Sequence, residues 1–207
     1  MDLSLYSLPA SIKKTTNNIL DNKRITQEEA VLLFKQGEPG FLGVLADTIR
    51  RKKHGNHVYF NRNFHIEPTN ICVFKCDFCS YSRQFKNREE GWELDKAAMM
   101  NIVKSFDGRP VTEVHIVGGV HPKLDLEFFC DLLSSIRAHR PELHIKAFTA
   151  VELEYMFRKA KVTVKEGMSK LKNSGLDSIP GGGAEIFDEH IRKQLAYGLP
   201  NNRAQGR

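Results

Sequence analysis

The chain has 207 residues, 41% of them hydrophobic and 27% charged, with a formal net charge of +6 and a pI near 9.1. These values suit a globular protein with one hydrophobic core, or one and a half. No apolar run reaches the roughly 20 residues that cross a bilayer, and the opening MDLSLYSLPASIKK has no apolar stretch after a basic start, so neither a membrane span nor a secretory signal is read and the cytoplasm is the default location. The basic residues are scattered. The one cluster, Arg50 to His54, reads as a solvated helix end, which leaves a nucleic-acid partner without support.

The first third of the chain has helical patterning. Thr26-Gln27-Glu28-Glu29 is a capping box ahead of an apolar run, with Gly37 and Pro39 expected to close that helix. A second helix is predicted over 42–50, stopping near Gly55. Short strands are predicted at 58–60 and 64–67, then a helix over 95–106 and a β-branched strand at 114–117 ending in Gly118-Gly119. Helix follows at 126–138, strand at 143–148 and helix around 152–159. A second capping box, Thr163 to Glu166, opens a helix that Gly175 ends, and a last short strand at 176–179 runs into Pro180-Gly181-Gly182-Gly183. Strands alternating with helices imply βα units on a parallel sheet. The cysteines, the Gly-Gly pair and the Gly-rich stretch all follow strands, where α/β folds bind ligands.

Three of the four cysteines fall in "CVFKCDFC", Cys72 to Cys79. In a reducing compartment such spacing favours metal or redox chemistry over disulfides. A structural zinc site normally has four ligands in paired Cys-x₂-Cys halves; here one gap is x₃ and no second pair exists. Cys130 lies in an apolar helical run and reads as a packing residue. Three thiolates suit a four-iron cluster with one iron left open.

The spacing, with Phe78 directly before the last cysteine, resembles the signature of the radical S-adenosylmethionine enzymes. "HIEPTNICVFKCDFCSYSR", "VHIVGGVHP" and "SIPGGGAEIF" extend the likeness to the subgroup acting on futalosine-type and deazaflavin precursors, and within it to the aminofutalosine synthases of menaquinone biosynthesis. The resemblance implies a [4Fe-4S] cluster on Cys72, Cys76 and Cys79, with S-adenosylmethionine on the open iron. It implies Phe78 beside the adenine, Gly118 and Gly119 near the methionine moiety and Glu185 at the ribose. Glu67, Asn70, Tyr81 and His121 are weaker candidates for orienting substrate or loops, His121 reading equally as a turn residue. Arg83 and Lys86 are candidates for a substrate carboxylate. The implied reaction joins the 5′-deoxyadenosyl radical to the vinyl carbon of 3-[(1-carboxyvinyl)oxy]benzoate, an anionic small molecule, and gives 6-amino-6-deoxyfutalosine; a flavodoxin or ferredoxin would be the reductant. No nucleic acid or membrane partner is implied.

The expected architecture is α/β: an N-terminal helical segment (1–56), the first half of a (β/α) TIM-type barrel carrying the cluster loop (57–195), and a tail unlike the family (196–207). A half barrel leaves a sheet edge uncovered, so the chain alone is expected to be inactive or poorly folded. The competing readings are the cyclic dehypoxanthinylfutalosine synthase, a deazaflavin synthase, and a non-catalytic metal-binding remnant.

Overall fold

A computed structural model of the chain describes residues 7–182 and 185–196. Two compact units divide between Phe60 and Asn61. The first is helical, with α1 (Ala10–Leu20), α2 (Gln27–Gln36) and α3 (Pro39–His54). The expected capping box at α2 is formed: the Glu29 amide donates to Thr26 Oγ1 at 3.2 Å, and the Thr26 amide donates to the Glu29 carboxylate at 2.9 Å. Gly37 ends α2, but Pro39 closes nothing. It is the first residue of α3, where the amide it lacks is not needed, and the Glu38 carboxylate accepts from the Phe41 amide at 2.9 Å. Ile12, Leu33, Phe41 and Leu45 form this unit's core. The basic cluster is the end of α3, where Arg50 and Arg51 both pair with Asp47 at 2.9 and 2.7 Å.

The strand expected at 58–60 does not form. Val58, Tyr59 and Phe60 are 82, 77 and 74% exposed, in a segment without regular structure. Strand propensity measures how well a side chain fits a half-buried pleated surface, and this run has no such surface beneath it.

The second unit is built on three parallel strands, β1 (Asn63–Ile66), β4 (Glu113–Ile116) and β5 (His144–Ala147), in the order β1-β4-β5. Between β1 and β4 come β2 (Ile71–Cys72), β3 (Arg83–Gln84), a 3₁₀ segment (Phe85–Glu90) and α4 (Lys96–Lys104). Helix α5 (Leu126–His139) joins β4 to β5, and α6 (Ala150–Ala160), α7 (Val164–Asn173) and α8 (Glu189–Leu195) follow. The register sets Phe64 beside Val114 and Ile145, and Ile66 beside Ile116 and Ala147. All six are buried, and they share one core with Met99, Val103, Leu132, Leu133, Ile136, Met156 and Leu171 of the covering helices. Each large aliphatic side chain so buried contributes about 1.5–3 kcal/mol. Cys130 is partly buried against this core, a packing position as expected. The alternate residues, Asn63, His65, Glu113, His115, His144 and Lys146, line the other, concave face, because successive strand side chains point to opposite sides.

The strand expected at 176–179 is reduced to a single parallel bridge between Ser178 and Lys146. Backbone bonds persist around it, from the Asp177 amide to the Ile145 carbonyl at 2.9 Å and from the Ala147 amide to the Ser178 carbonyl at 3.0 Å, and the Asp177 carboxylate adds to them by accepting from the Ile145 amide at 2.8 Å and from Arg137 at 2.5 Å. Beyond this bridge Ile179 is 43% exposed. The architecture is thus α/β, with N-terminal helices and an incomplete parallel (β/α) barrel. Gly183 and the 197–207 part of the expected tail lie outside the described residues. No helix among the described residues is long and apolar enough to cross a membrane.

Candidate metal and cofactor site

The cysteine loop leaves the carboxyl end of β1 and is fastened on both sides. Thr69 and Asn70 are buried. The Thr69 hydroxyl donates to the Trp92 carbonyl at 2.6 Å and accepts from the Ile71 amide at 2.9 Å, while Asn70 Oδ1 accepts from the Trp92 amide at 3.0 Å. Across the loop, β2 and β3 pair in parallel, Ile71 with Arg83 and Cys72 with Gln84. Gln84 adds a side-chain bond to the Phe74 carbonyl at 2.9 Å. Cys76 and Cys79 therefore sit on a short closed excursion, tightened by the Cys79 amide donating to the Cys76 carbonyl at 3.0 Å.

All four cysteines are free thiols. Cys72 Sγ lies 3.4 Å from the Phe74 amide, which donates to it, and Cys72 and Cys76 pack beside Phe74, Val120, Val151 and Tyr155. Burial raises the Cys72 thiol above its usual range. Cys76 is pushed up to about 11 by burial first, then by the neighbouring thiols of Cys72 and Cys79 and by Glu185, with Arg192 pulling the other way. Glu185, exposed in the left-handed region (φ 53°), thus belongs to the neighbourhood of the cysteines. Among the described residues no three His, Cys, Asp or Glu side chains are arranged to hold a single metal ion. Three free thiols on one fastened loop, flanked by apolar side chains, are the donor set that an iron–sulfur cluster takes.

Gly118 and Gly119 end β4 against this loop. A Cβ on Gly119 would stand 2.4 Å from the Ile71 carbonyl oxygen, and one on Gly118 would stand 2.7 Å from that of Thr69. Only glycine permits so close an approach of two backbones. Their amides are engaged, Gly119 to the Thr69 carbonyl at 2.7 Å and Gly118 to the Glu152 carboxylate at 3.3 Å. Phe78, next to Cys79 in sequence, is 51% exposed and is no core residue.

The weaker candidates hold the loop. The Tyr81 hydroxyl lies 3.4 Å from the Glu67 carboxylate and 3.3 Å from the Thr69 carbonyl, and its ring packs edge-on to Trp92. His121 is buried, accepting from the Lys123 amide at 3.2 Å. Its Nε2 stands 3.2 Å from Glu93 without hydrogen-bond alignment. Arg83 is turned onto the carbonyls of Ser80 and Ser82 at 3.0 and 3.1 Å, and Lys86 is exposed on the 3₁₀ segment.

Sequence reasoning missed Glu152. Its carboxylate is 7% exposed and accepts from the Thr149 amide at 2.6 Å, the Thr149 hydroxyl at 2.8 Å and the Gly118 amide. Burial outweighs these bonds and pushes its pKa up to about 7. The signal was legible, since Thr149-Ala150-Val151-Glu152 is a third capping box. Helix α8 was also missed; the Leu195 carbonyl accepts from the Asp77 amide at 2.8 Å, placing the end of that helix on the cysteine loop.

A partial parallel barrel with three free thiols on one loop at its strand ends defines an α/β-barrel chain with a candidate metal or cofactor site. Residues 66–204 match the Radical SAM superfamily, and the chain belongs to that superfamily. It is 34% identical over 178 residues to the aminodeoxyfutalosine synthase of Thermus thermophilus, a match covering 86% of this chain and 48% of that protein. It is 36% identical over 182 residues to the 5-amino-6-(D-ribitylamino)uracil–L-tyrosine 4-hydroxyphenyl transferase of Methanocaldococcus jannaschii, covering 86% and 50%. Among solved structures, methylornithine synthase superposes with a TM-score of 0.67 at 17% identity over 90% of this chain and 52% of the other, a likeness of fold. The chain spans about half the length of the curated relatives it matches.

Proposed function

We propose that the chain carries the cluster- and S-adenosylmethionine-binding half of an enzyme of the aminodeoxyfutalosine synthase type, acting in the cytoplasm in menaquinone biosynthesis. The observation that carries this reading is the fastened three-thiol loop abutting the Gly118-Gly119 strand end, within a chain 34% identical to such a synthase. Cys72, Cys76 and Cys79 would hold three irons of a [4Fe-4S] cluster. When bound, the cluster supplies the electron that splits S-adenosylmethionine into methionine and a 5′-deoxyadenosyl radical, with a flavodoxin or ferredoxin as the source of that electron.

The chain's own part is binding and orientation. With both glycine amides already engaged, their carbonyls are the groups that can accept from the methionine ammonium. The exposed Phe78 would lie against adenine, and Glu185 would accept from the ribose hydroxyls. Glu152 and Thr149 fix the Gly-Gly corner, and Tyr81, Trp92 and Asn70 fix the loop. The reaction joins the adenosyl group to 3-[(1-carboxyvinyl)oxy]benzoate, with loss of carboxylate, to give 6-amino-6-deoxyfutalosine. Because the matched relatives are about twice as long, full turnover is assigned to this chain together with the remaining strands of the barrel, in one polypeptide or two.

A second reading is favoured by the 36% identity to the tyrosine 4-hydroxyphenyl transferase, a deazaflavin-type activity; the cyclic dehypoxanthinylfutalosine synthase is a third of the same chemistry. Anaerobic reconstitution with iron and sulfide, followed by EPR of the reduced protein with and without S-adenosylmethionine, tests the half-site. A [4Fe-4S]⁺ signal that shifts with the cofactor supports an open iron; one zinc and no sulfide would point to a metal-binding remnant. Adenosyl-labelled S-adenosylmethionine then separates the readings, because only the aminodeoxyfutalosine reaction carries the label into product together with the benzoate.

A further inference from the structure

The concave face of the sheet carries two rows of polar residues, and only the lower is internally satisfied. In the lower row Asn63, Glu113 and His144 lie side by side. The buried Glu113 carboxylate accepts from Asn61 at 3.3 Å, from Asn63 at 3.4 Å and from Lys146 at 2.6 Å, and His144 donates to or accepts from Ser178 at 2.8 Å. The upper row is His65, His115 and Lys146, one side chain from each strand. It holds two imidazoles and an ammonium as hydrogen-bond donors and no carboxylate of its own, with burial, then the neighbouring His65 and Lys146, holding the His115 pKa below its usual range. The His65 and His115 rings lie 5.0 Å apart, and His115 Nε2 is buried without a hydrogen-bond partner. A buried polar nitrogen left unpaired costs about 1–3 kcal/mol, so its environment is completed when a ligand arrives. Lys146 has three donors and spends one on Glu113.

This row stands one pleat repeat, about 7 Å, below the strand ends that carry Glu67 and Val117, and so beneath the loops that hold the cysteines. In parallel barrels ligands enter from that end. By contrast, Arg83 donates through one nitrogen to two loop carbonyls and faces Glu90 at 3.8 Å, and Lys86 is exposed on the 3₁₀ segment. We propose that His65, His115 and Lys146 form the carboxylate-binding subsite of the substrate pocket, gripping an acid whose reactive end stays at the level of the cysteine loop. The inference rests on the small-molecule enzyme reading above and assigns the residues that hold the carboxylate of its substrate. It moves carboxylate recognition from the basic residues of the loop to the interior of the sheet.

The test uses the 207-residue chain labelled with ¹⁵N-histidine. Two-bond ¹H–¹⁵N spectra of the imidazoles are followed during titration with 3-(carboxymethoxy)benzoate, an unreactive dicarboxylate without the vinyl carbon, with L-tyrosine, and with the methyl ester of each. The expected result is that the His65 and His115 ring signals shift with a free acid and not with its ester. Lys146→Gln, which keeps a donor for Glu113, should weaken that binding about tenfold or more. Acid binding that leaves both rings undisturbed, or unchanged affinity in Lys146→Gln, overturns the subsite while leaving the proposed reaction standing. If L-tyrosine alone moves the rings, the subsite stands and the aminodeoxyfutalosine reading falls. If neither acid binds, the subsite is wrong.

Discussion

The Gly118 amide donates to the buried carboxylate of Glu152 at 3.3 Å, so the first turn of α6 is tied to the strand end that abuts the cysteine loop. The tie depends on Phe148, whose left-handed backbone (φ 67°) turns the chain out of β5 into the Thr149 cap. Glu152→Gln keeps the volume but sets an amide NH₂ against a backbone N–H, which should cost about 1–3 kcal/mol. The pH dependence gives a second signature. The folded-state pKa is raised from 4.5 to about 7, so the folded protein holds a proton the unfolded chain has released. Stability is therefore fully present below pH 4.5 and falls as pH rises to about 7, by on the order of 3 kcal/mol. Urea denaturation at intervals between pH 4.5 and 8 should show this slope in the parent chain and not in Glu152→Gln.

Gly119 and Gly43 make opposite predictions from the same substitution. At Gly119 a methyl group meets backbone of Ile71 and Asn70 at 2.4 to 2.9 Å, and backbone cannot swing aside as a side chain can. Gly119→Ala should destabilise by about 1–3 kcal/mol or more and lower cluster loading, since the atoms displaced lead directly into Cys72. Gly43, inside α3, has nothing within 4 Å of its Cβ position, so Gly43→Ala should stabilise by roughly 0.5–1 kcal/mol. Thermal denaturation of the two variants side by side checks both signs.

Local signals that need no partner were readable in the sequence. The capping boxes at Thr26 and Thr163 and the strands expected at 114–117 and 143–148 depend on residues a few positions apart, and they stand close to where expected. What failed depended on distant atoms. The strand at 58–60 lacked a surface to lie on, and the one at 176–179 keeps only the pairing around Ser178, supplemented by the Asp177 carboxylate, a partner of Arg137 forty residues earlier. The candidate loop was legible from three cysteines, but its fastening was not. The β2–β3 pairing rests on two residues each, too short to show a period, and the role of Asn70 depends on Trp92.

The four thiols separate ligand from packing residue. Cys76→Ser should abolish cluster assembly, with iron after anaerobic reconstitution falling from about four per chain to near zero. Cys130→Ser, on α5 and partly buried against the core, should leave iron content unchanged and lower stability modestly through the polar atom it introduces. Iron and sulfide assays with far-ultraviolet circular dichroism on the same samples distinguish loss of ligand from loss of fold. Equal iron in all variants would remove the cysteine loop from metal binding altogether.

Arg137 is the residue whose removal should cost most for its exposure. Its guanidinium donates to the carbonyls of Pro141 at 2.7 Å, Leu143 at 2.9 Å and Gly175 at 2.9 Å, and to Asp177 at 2.5 Å, joining α5, the entry to β5 and the exit of α7. Asp177 in turn holds the Ile145 amide, so the Arg137 side chain reinforces a sheet edge that carries only the short backbone pairing around Ser178. Arg137→Met keeps the aliphatic contact and strands these acceptors, at about 2–3 kcal/mol. Lysine has one compact ammonium instead of a planar fork, so Arg137→Lys should recover less than half of that loss. Arg158 serves as the control. Its pair with Glu154 is an i,i+4 contact on a side chain 59% exposed, and Arg158→Met should change stability by less than about 0.5 kcal/mol. Equal denaturation midpoints for Arg137→Met and Arg158→Met would show that the edge is held by the β5 backbone and the core beneath it, with Arg137 only resting on the surface.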